Sequence, residues 1–85
     1  MDKQKIREEL TTILNIVDDK LLEQIKIEDA TPIREGLGLD SLQLTEMLFE
    51  IEERLGAKIN DEEARGLQTI GDLIDLIQTK TSEAG

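Results

Sequence analysis

A serine follows an aspartate directly in the segment GLGLDSL, residues 36–42, where two glycines give way to an amphipathic stretch. Asp40 is a good helix N-cap residue, because its carboxylate can accept hydrogen bonds from the free N–H groups of the first turn. Ser41 would then be the first helical residue, at a helix end that carries about half a positive charge and favours phosphate. The position therefore suits a serine that carries a phosphate ester.

The same pair has a plainer interpretation. An Asp-Ser pair at a helix start is ordinary capping, and the hydroxyl then needs no chemical role. In that case the chain is a small acidic helical interaction protein, and Ser41 is only a cap or a phosphorylation site. Spacing alone leaves both interpretations open.

The side chains that most often perform catalysis are missing from this chain. It has no Cys and no His, so it has no thiolate nucleophile and no side chain that titrates near neutral pH without help. Asp61, Glu62 and Glu63 could attract a cation, but the D-x-[DN]-x-[DN]-G pattern of a calcium-binding loop is absent. We therefore expect neither an enzyme nor a metal-binding protein.

The net charge restricts the partners of this chain. Its 85 residues carry a formal charge of −10 at pH 7, which nucleic acid and anionic membrane surfaces repel and a basic protein surface attracts. The first ten residues are charged and lack a signal-peptide core, and no apolar run approaches the ~18 residues of a membrane span. We expect a cytoplasmic monomer that binds basic protein partners, does not bind nucleic acid and does not insert into membranes.

The elements that position Ser41 are predicted to be helices. Apolar residues recur at helical spacing in three longer segments, and Gly56 stands where a left-handed C-terminal cap is wanted. Asn60 and Glu63 form a capping-box pattern for a short helix, and Thr69 is a candidate N-cap for the last one. The predicted helices are about residues 3–16, residues 41–55 with Leu44, Met47, Leu48, Ile51 and Leu55 as the buried stripe, a short one within 59–66, and one after Thr69.

Two segments fall outside this periodicity. Residues 18–40 form a connection of unusual length for a compact domain, so we expect it to be functional or to contain a short element, for which Pro32 is a possible start. Residues 81–85 have nothing to bury and are predicted to be a disordered tail. The prediction is one all-α domain over residues 1–80, a bundle of three longer helices and one short helix with a long loop between the first two longer helices.

The segment around Ser41 also resembles a known family. Gly38-Leu39-Asp40-Ser41-Leu42 has the pattern of a modification motif, and the residues that follow fall at family-like spacing: Glu46, Glu52-Glu53, Ile59, Asp61-Glu62-Glu63-Ala64 and Thr69-Ile70. From about Ile33 to Ile77 the chain resembles an acyl carrier protein, one of the small acidic carriers of fatty acid and polyketide synthesis. The resemblance implies an acyl-carrier-like bundle.

The resemblance implies a covalent cofactor. A phosphopantetheinyl transferase would move 4′-phosphopantetheine from coenzyme A to the Ser41 hydroxyl, with Asp40 and Leu42 as flanking residues of the site. The thiol of the group would hold acyl intermediates as thioesters for partner enzymes of fatty acid, polyketide or specialised lipid biosynthesis. Gln43 and Arg54 stand where many fatty acid carriers have acids, so a specialised carrier fits as well as a housekeeping one.

Two residue sets follow from this resemblance. Between Asp40 and Glu63 there are eight acids and two bases. In the plain interpretation these acids form a solvated helix face. The resemblance implies instead a docking surface for basic patches on acyl-transferring or condensing enzymes. The resemblance implies that the docking residues are Glu46, Glu50, Glu52, Glu53 and Glu63. The acyl chain can slip between the helices in this family, and here the residues that could line such a space, besides making the core, are Leu44, Leu48, Ile51, Ile59, Leu67, Ile70 and Ile74.

Overall fold

The protein folds into helices throughout the residues that the computed structural model describes, 2–24 and 26–83. Within these residues the elements are α1 (Lys3–Val17), α2 (Leu21–Gln24), α3 (Ile33–Leu37), α4 (Ser41–Leu55), α5 (Asp61–Gly66) and α6 (Ile70–Glu83). The predicted all-α bundle with three longer helices is confirmed. Three helices, α2, α3 and α5, are short, where the sequence predicts one, and α2 and α3 lie in the connection for which the sequence predicts a long loop or a short element.

The long helix α1 lies at the centre of the bundle. It packs against both α4 and α6, and its apolar face of Ile6, Leu10, Ile13 and Leu14 is fully buried. The whole core is aliphatic apart from Met47, because the single aromatic residue, Phe49, is 57% exposed. The buried hydrophobic residues of the described ranges belong to one cluster, and the single domain over residues 1–80 stays a prediction.

The buried stripe of α4 is narrower than the sequence predicts. Met47, Ile51 and Leu55 are buried, whereas Leu44 and Leu48 are only half-buried and pack at the edge of the core. Gly56 ends the helix with φ +72°, as the predicted left-handed cap requires.

The connection between α1 and α4 is tied down by backbone hydrogen bonds to the start of α6. Gly71 allows this close approach, since a Cβ there would lie 3.1 Å from the Asp29 carbonyl oxygen. Arg7 of α1 also holds Asp29, with two guanidinium–carboxylate contacts of 2.8 and 3.0 Å from Nη2. The backbone bonds run from Ile33 N–H to Gln68 O (2.9 Å), from Ile70 N–H to Thr31 O (2.9 Å) and from Gly71 N–H to Asp29 O (2.8 Å).

The short helix α3 brings the chain to the start of α4. It begins after Pro32 and ends at Gly38, whose φ of +62° lies in the left-handed region that favours glycine. The turn at Gly38 leads through Leu39 and Asp40 into α4. The predicted short element at Pro32 is therefore present, and its end determines the position of Ser41.

The final helix is longer than the sequence predicts. Residues 81–83 continue α6, so the prediction of disorder from residue 81 is wrong for these three. In this last turn the Thr81 hydroxyl donates to the Ile77 carbonyl at 2.9 Å. Residues 84 and 85 lie outside the described residues. None of the helices in the described part of the chain has the length and apolar character needed to cross a membrane.

Candidate attachment site and docking surface

Ser41 is the first residue of α4, and Asp40 is its N-cap. The Asp40 carboxylate accepts from the Gln43 N–H at 2.8 Å, while the Gln43 side-chain oxygen accepts from the Asp40 N–H at 3.2 Å. The predicted cap is thus confirmed, and Gln43 completes a capping box that the sequence reading did not foresee. The N–H groups of Ser41 and Leu42 belong to the first turn of α4 and have no acceptor within the helix.

Ser41 lies at the surface, beside an open cleft of about 370 Å³. Both Ser41 and the next residue are exposed, with Leu42 at 69%. The cleft lies between α3, α4 and α5 and combines an apolar wall with charged side chains. Its lining consists of Arg34, Ser41, Leu44, Thr45, Leu48, Asp61, Ala64 and Arg65.

This arrangement suits a phosphate ester on Ser41. The hydroxyl is open to a donor molecule, and the unpaired N–H groups at the start of α4 favour a negative charge beside it. Arg34 and Arg65 border the same cleft and add positive charge. Leu44 and Leu48 supply an apolar wall. The residues present therefore fit an attached arm with an anionic base and a less polar continuation.

The structure divides the residues predicted to line an acyl-chain space. Leu44 and Leu48 line the cleft beside Ser41, and Leu67 lines a neighbouring cleft with Arg34 and Arg65. The remaining members are packed in the core: Ile51, Ile59, Ile70 and Ile74. Only Leu44 and Leu48 therefore share a cleft with Ser41, and entry of an acyl chain between the helices stays a prediction.

The acids predicted to form a docking surface have different surroundings. Glu46, Glu52 and Glu53 are exposed on α4. Glu50 is half-buried and pairs with Arg54, one turn further along, at 3.2 Å. Arg54 therefore neutralises a neighbouring acid within α4, and the exposed charge of this helix is carried by the other three.

Glu63 has two intramolecular partners. Its carboxylate accepts from the Asn60 N–H at 3.1 Å in the capping box of α5, and Lys80 of α6 lies 2.9 Å away. The hydrogen bond from Lys80, followed by that from the Asn60 backbone, lowers the pKa of Glu63 below its ordinary value. Glu63 therefore joins α5 to α6, and a role in docking would compete with these contacts.

The Glu63 contacts predict a change in acid stability. A lowered pKa in the folded state adds stability above the unfolded-state pKa, and this stability disappears as the pH falls through the folded value. In Glu63→Gln the urea midpoint should therefore fall less steeply than in the native chain between about pH 6 and about pH 3. Urea titrations across this range measure it. Glu62→Gln, an exposed neighbour, is the control and should follow the native curve; parallel curves for native and Glu63→Gln would contradict the prediction.

Two features of this surface were missed in the sequence. One is an apolar groove of about 280 Å³ between the end of α1 and the middle of α4, lined by Ile16, Val17, Thr45, Glu46, Phe49 and Glu50. The other is that Arg34 and Arg65 line the same cleft as Ser41. Phe49 and Ile16 are apolar residues on otherwise polar helix faces, so the sequence does contain a signal for the groove. The arginines lie 31 positions apart, with no shared motif.

The acids considered for metal binding do not come together. In the part of the chain that the structure describes, no group of three acidic side chains has an arrangement that could hold a metal ion. Asp61 lines the Ser41 cleft, whereas Glu63 is engaged with Asn60 and Lys80.

Comparison with known families agrees with this geometry. A family model described as a phosphopantetheine attachment site matches residues 4–77, and the predicted likeness to acyl carrier proteins is confirmed. The chain has two serines, Ser41 and Ser82, and Ser41 alone falls within the match. Because the match spans most of the chain, the protein belongs to the phosphopantetheine attachment site family, whose carriers hold a covalent 4′-phosphopantetheine on a serine.

Proposed function

We propose that Ser41 carries the 4′-phosphopantetheine and that the chain acts as an acyl carrier rather than as an enzyme. One observation carries the proposal: the single serine within the family match is also the exposed first residue of α4, beside a cleft that fits the group. The chain has no Cys of its own, so a thioester needs the thiol that this group supplies when it is bound.

Loading would be a group transfer from coenzyme A, performed by a phosphopantetheinyl transferase. The Ser41 hydroxyl oxygen forms a bond to the phosphorus that bears the pantetheine, and the phosphorus–oxygen bond within the diphosphate breaks. Adenosine 3′,5′-bisphosphate leaves, and the hydroxyl proton passes to a general base on the transferase. Asp40 holds the start of α4 through the capping box, which fixes the hydroxyl at the helix end.

The partners we propose are enzymes that transfer or condense acyl groups and that present basic patches. The exposed acids Glu46, Glu52 and Glu53 support this proposal, since complementary charge speeds and orients association. The apolar groove beside Glu46 adds Ile16 and Phe49 as uncharged contacts. The proposed setting is the cytoplasm, with the chain as a monomer in fatty acid, polyketide or specialised lipid synthesis.

The first experiment is an intact-mass measurement. The protein is incubated with coenzyme A, magnesium and a broad-specificity phosphopantetheinyl transferase, with an established carrier in the same tube. A gain of one phosphopantetheine supports the proposal. No gain on a folded chain, while the established carrier is loaded, would leave Ser41 as a helix cap and favour the interaction-protein interpretation.

A second prediction concerns docking. In the double variant Glu46→Lys/Glu53→Lys, two exposed acids of α4 change sign, so affinity for a basic partner should fall. The loss should be larger at low salt, because mobile ions screen exposed charges. Binding to the transferase, measured by titration calorimetry at low and high salt, tests this.

The control has the same net charge as the α4 double variant. Glu8→Lys/Glu23→Lys changes two exposed acids outside α4 and alters the net charge equally. The control should bind more tightly than the α4 variant at every salt concentration. Equal losses in the two variants would attribute the effect to total charge and overturn the docking surface.

A further inference from the structure

Two of the four arginines converge on the Ser41 cleft. Arg34 lies on α3 and Arg65 on α5, and both line this cleft as well as the neighbouring one of about 340 Å³. The other two arginines have acidic partners, Asp29 for Arg7 and Glu50 for Arg54. Among the ion pairs of residues 2–24 and 26–83, neither Arg34 nor Arg65 takes part.

This convergence is unexpected in so acidic a chain. The protein has 20 acids and 10 bases, yet two exposed guanidinium groups border one cleft. Like charges that share a cleft repel each other, and an anion between them removes that repulsion. Guanidinium groups present planar pairs of N–H donors that match phosphate oxygens, and each remains charged at any relevant pH.

We propose that Arg34 and Arg65 bind the phosphodiester that joins the pantetheine arm to Ser41. The inference rests on the proposed attachment at Ser41, which lines the same cleft of about 370 Å³ as both arginines. The arginines are positioning residues: they bias the base of the arm toward the cleft, where Leu44 and Leu48 form the apolar wall.

Other charges face the same space. Asp61 at the start of α5 also lines the cleft, and Asp40 stands next to Ser41, where its carboxylate is engaged by the Gln43 N–H. Glu35 lines the neighbouring cleft with both arginines, but in the Ser41 cleft two arginines face the single lining carboxylate and leave a net positive charge. The N-terminus of α4 adds to it. A phosphodiester, with one negative charge, is the anion that this balance suits.

The test is the ³¹P NMR resonance of the loaded protein. In the native chain the phosphodiester resonance should shift as sodium chloride rises from about 20 mM to about 1 M, because salt screens the contact with the arginines. In Arg34→Gln/Arg65→Gln the resonance should stand at the native high-salt position at every salt concentration. Arg34→Lys/Arg65→Lys, which keeps the charges but loses the planar donors, should fall between the two.

The controls separate this contact from net charge and from failure of loading. Lys20→Gln/Lys26→Gln removes the same charge from two exposed residues outside the cleft and should behave as the native chain. The single variants Arg34→Gln and Arg65→Gln repeat the test with only one guanidinium group removed from the surface. A loaded glutamine double variant with the native resonance and salt dependence would overturn this inference alone. A native chain that takes up no phosphorus at Ser41 would overturn the proposed function as well.

Discussion

The Ser41→Ala variant is expected to gain no phosphopantetheine and yet to unfold within a few degrees of the native chain. Loading needs the hydroxyl oxygen, and alanine has none, so the loss should be complete. The cap of α4 remains, because Asp40 and Gln43 form it and the Ser41 side chain does not. Alanine also suits the first turn of a helix, so the change in unfolding free energy should stay within about 0.5 kcal/mol.

Intact mass and thermal unfolding measure the two halves of this prediction. Ser82→Ala is the matched control, since it removes the other serine of the chain, outside the family match. It should be loaded to the same extent as the native chain. Loading of Ser41→Ala, or failure of Ser82→Ala to load while folded, would place the attachment point elsewhere.

The largest loss of stability among these predictions is expected for Leu14→Ala. Leu14 is fully buried on α1, the helix that packs against both α4 and α6. Removing such a side chain leaves a cavity and costs about 2–5 kcal/mol, a large part of the roughly 5–15 kcal/mol that stabilises a typical domain. The variant should therefore be partly unfolded at moderate temperature.

Urea unfolding of the unloaded protein gives the measurement. Ile16→Ala, two positions further along the same helix, is the control, because Ile16 is 50% exposed and its loss should cost about 0.5 kcal/mol or less. Equal midpoints for the two variants would show that α1 is not the centre of the core.

The long helices could be predicted because their signals are local. In α1 and α4 the apolar spacing marks the buried face, and Asp40 and Gly56 mark the two ends of α4. The site serine was predictable for the same reason, since the N-cap residue and the motif residues are its immediate neighbours in the sequence. Local rules do not predict how wide a buried stripe is. The partial exposure of Leu44 and Leu48 at the cleft could therefore not be predicted from the helical spacing.

The rest of the site depends on contacts between distant segments. The helices α2 and α3 have four and five residues, too few for a periodic pattern. The position of α3 depends on the bond from Ile33 N–H to Gln68 O, just before α6, and on the bonds from α6 to the segment that precedes α3. Glu63 pairs with Lys80, and Arg34 and Arg65 come to line one cleft, only after the helices have packed. The sequence shows such charges but not their partners.

The hydrogen bonds between the connection and α6 also determine how the cleft can open. Moving α3 outward to widen the cleft would break the bond between Ile33 and Gln68, and it would strain those of Ile70 and Gly71 beside it. Amide groups that share such a constraint exchange with solvent as one unit rather than singly. Opening of the cleft at the attachment site would therefore involve the first turn of α6, so α3 and the start of α6 would move in one opening event.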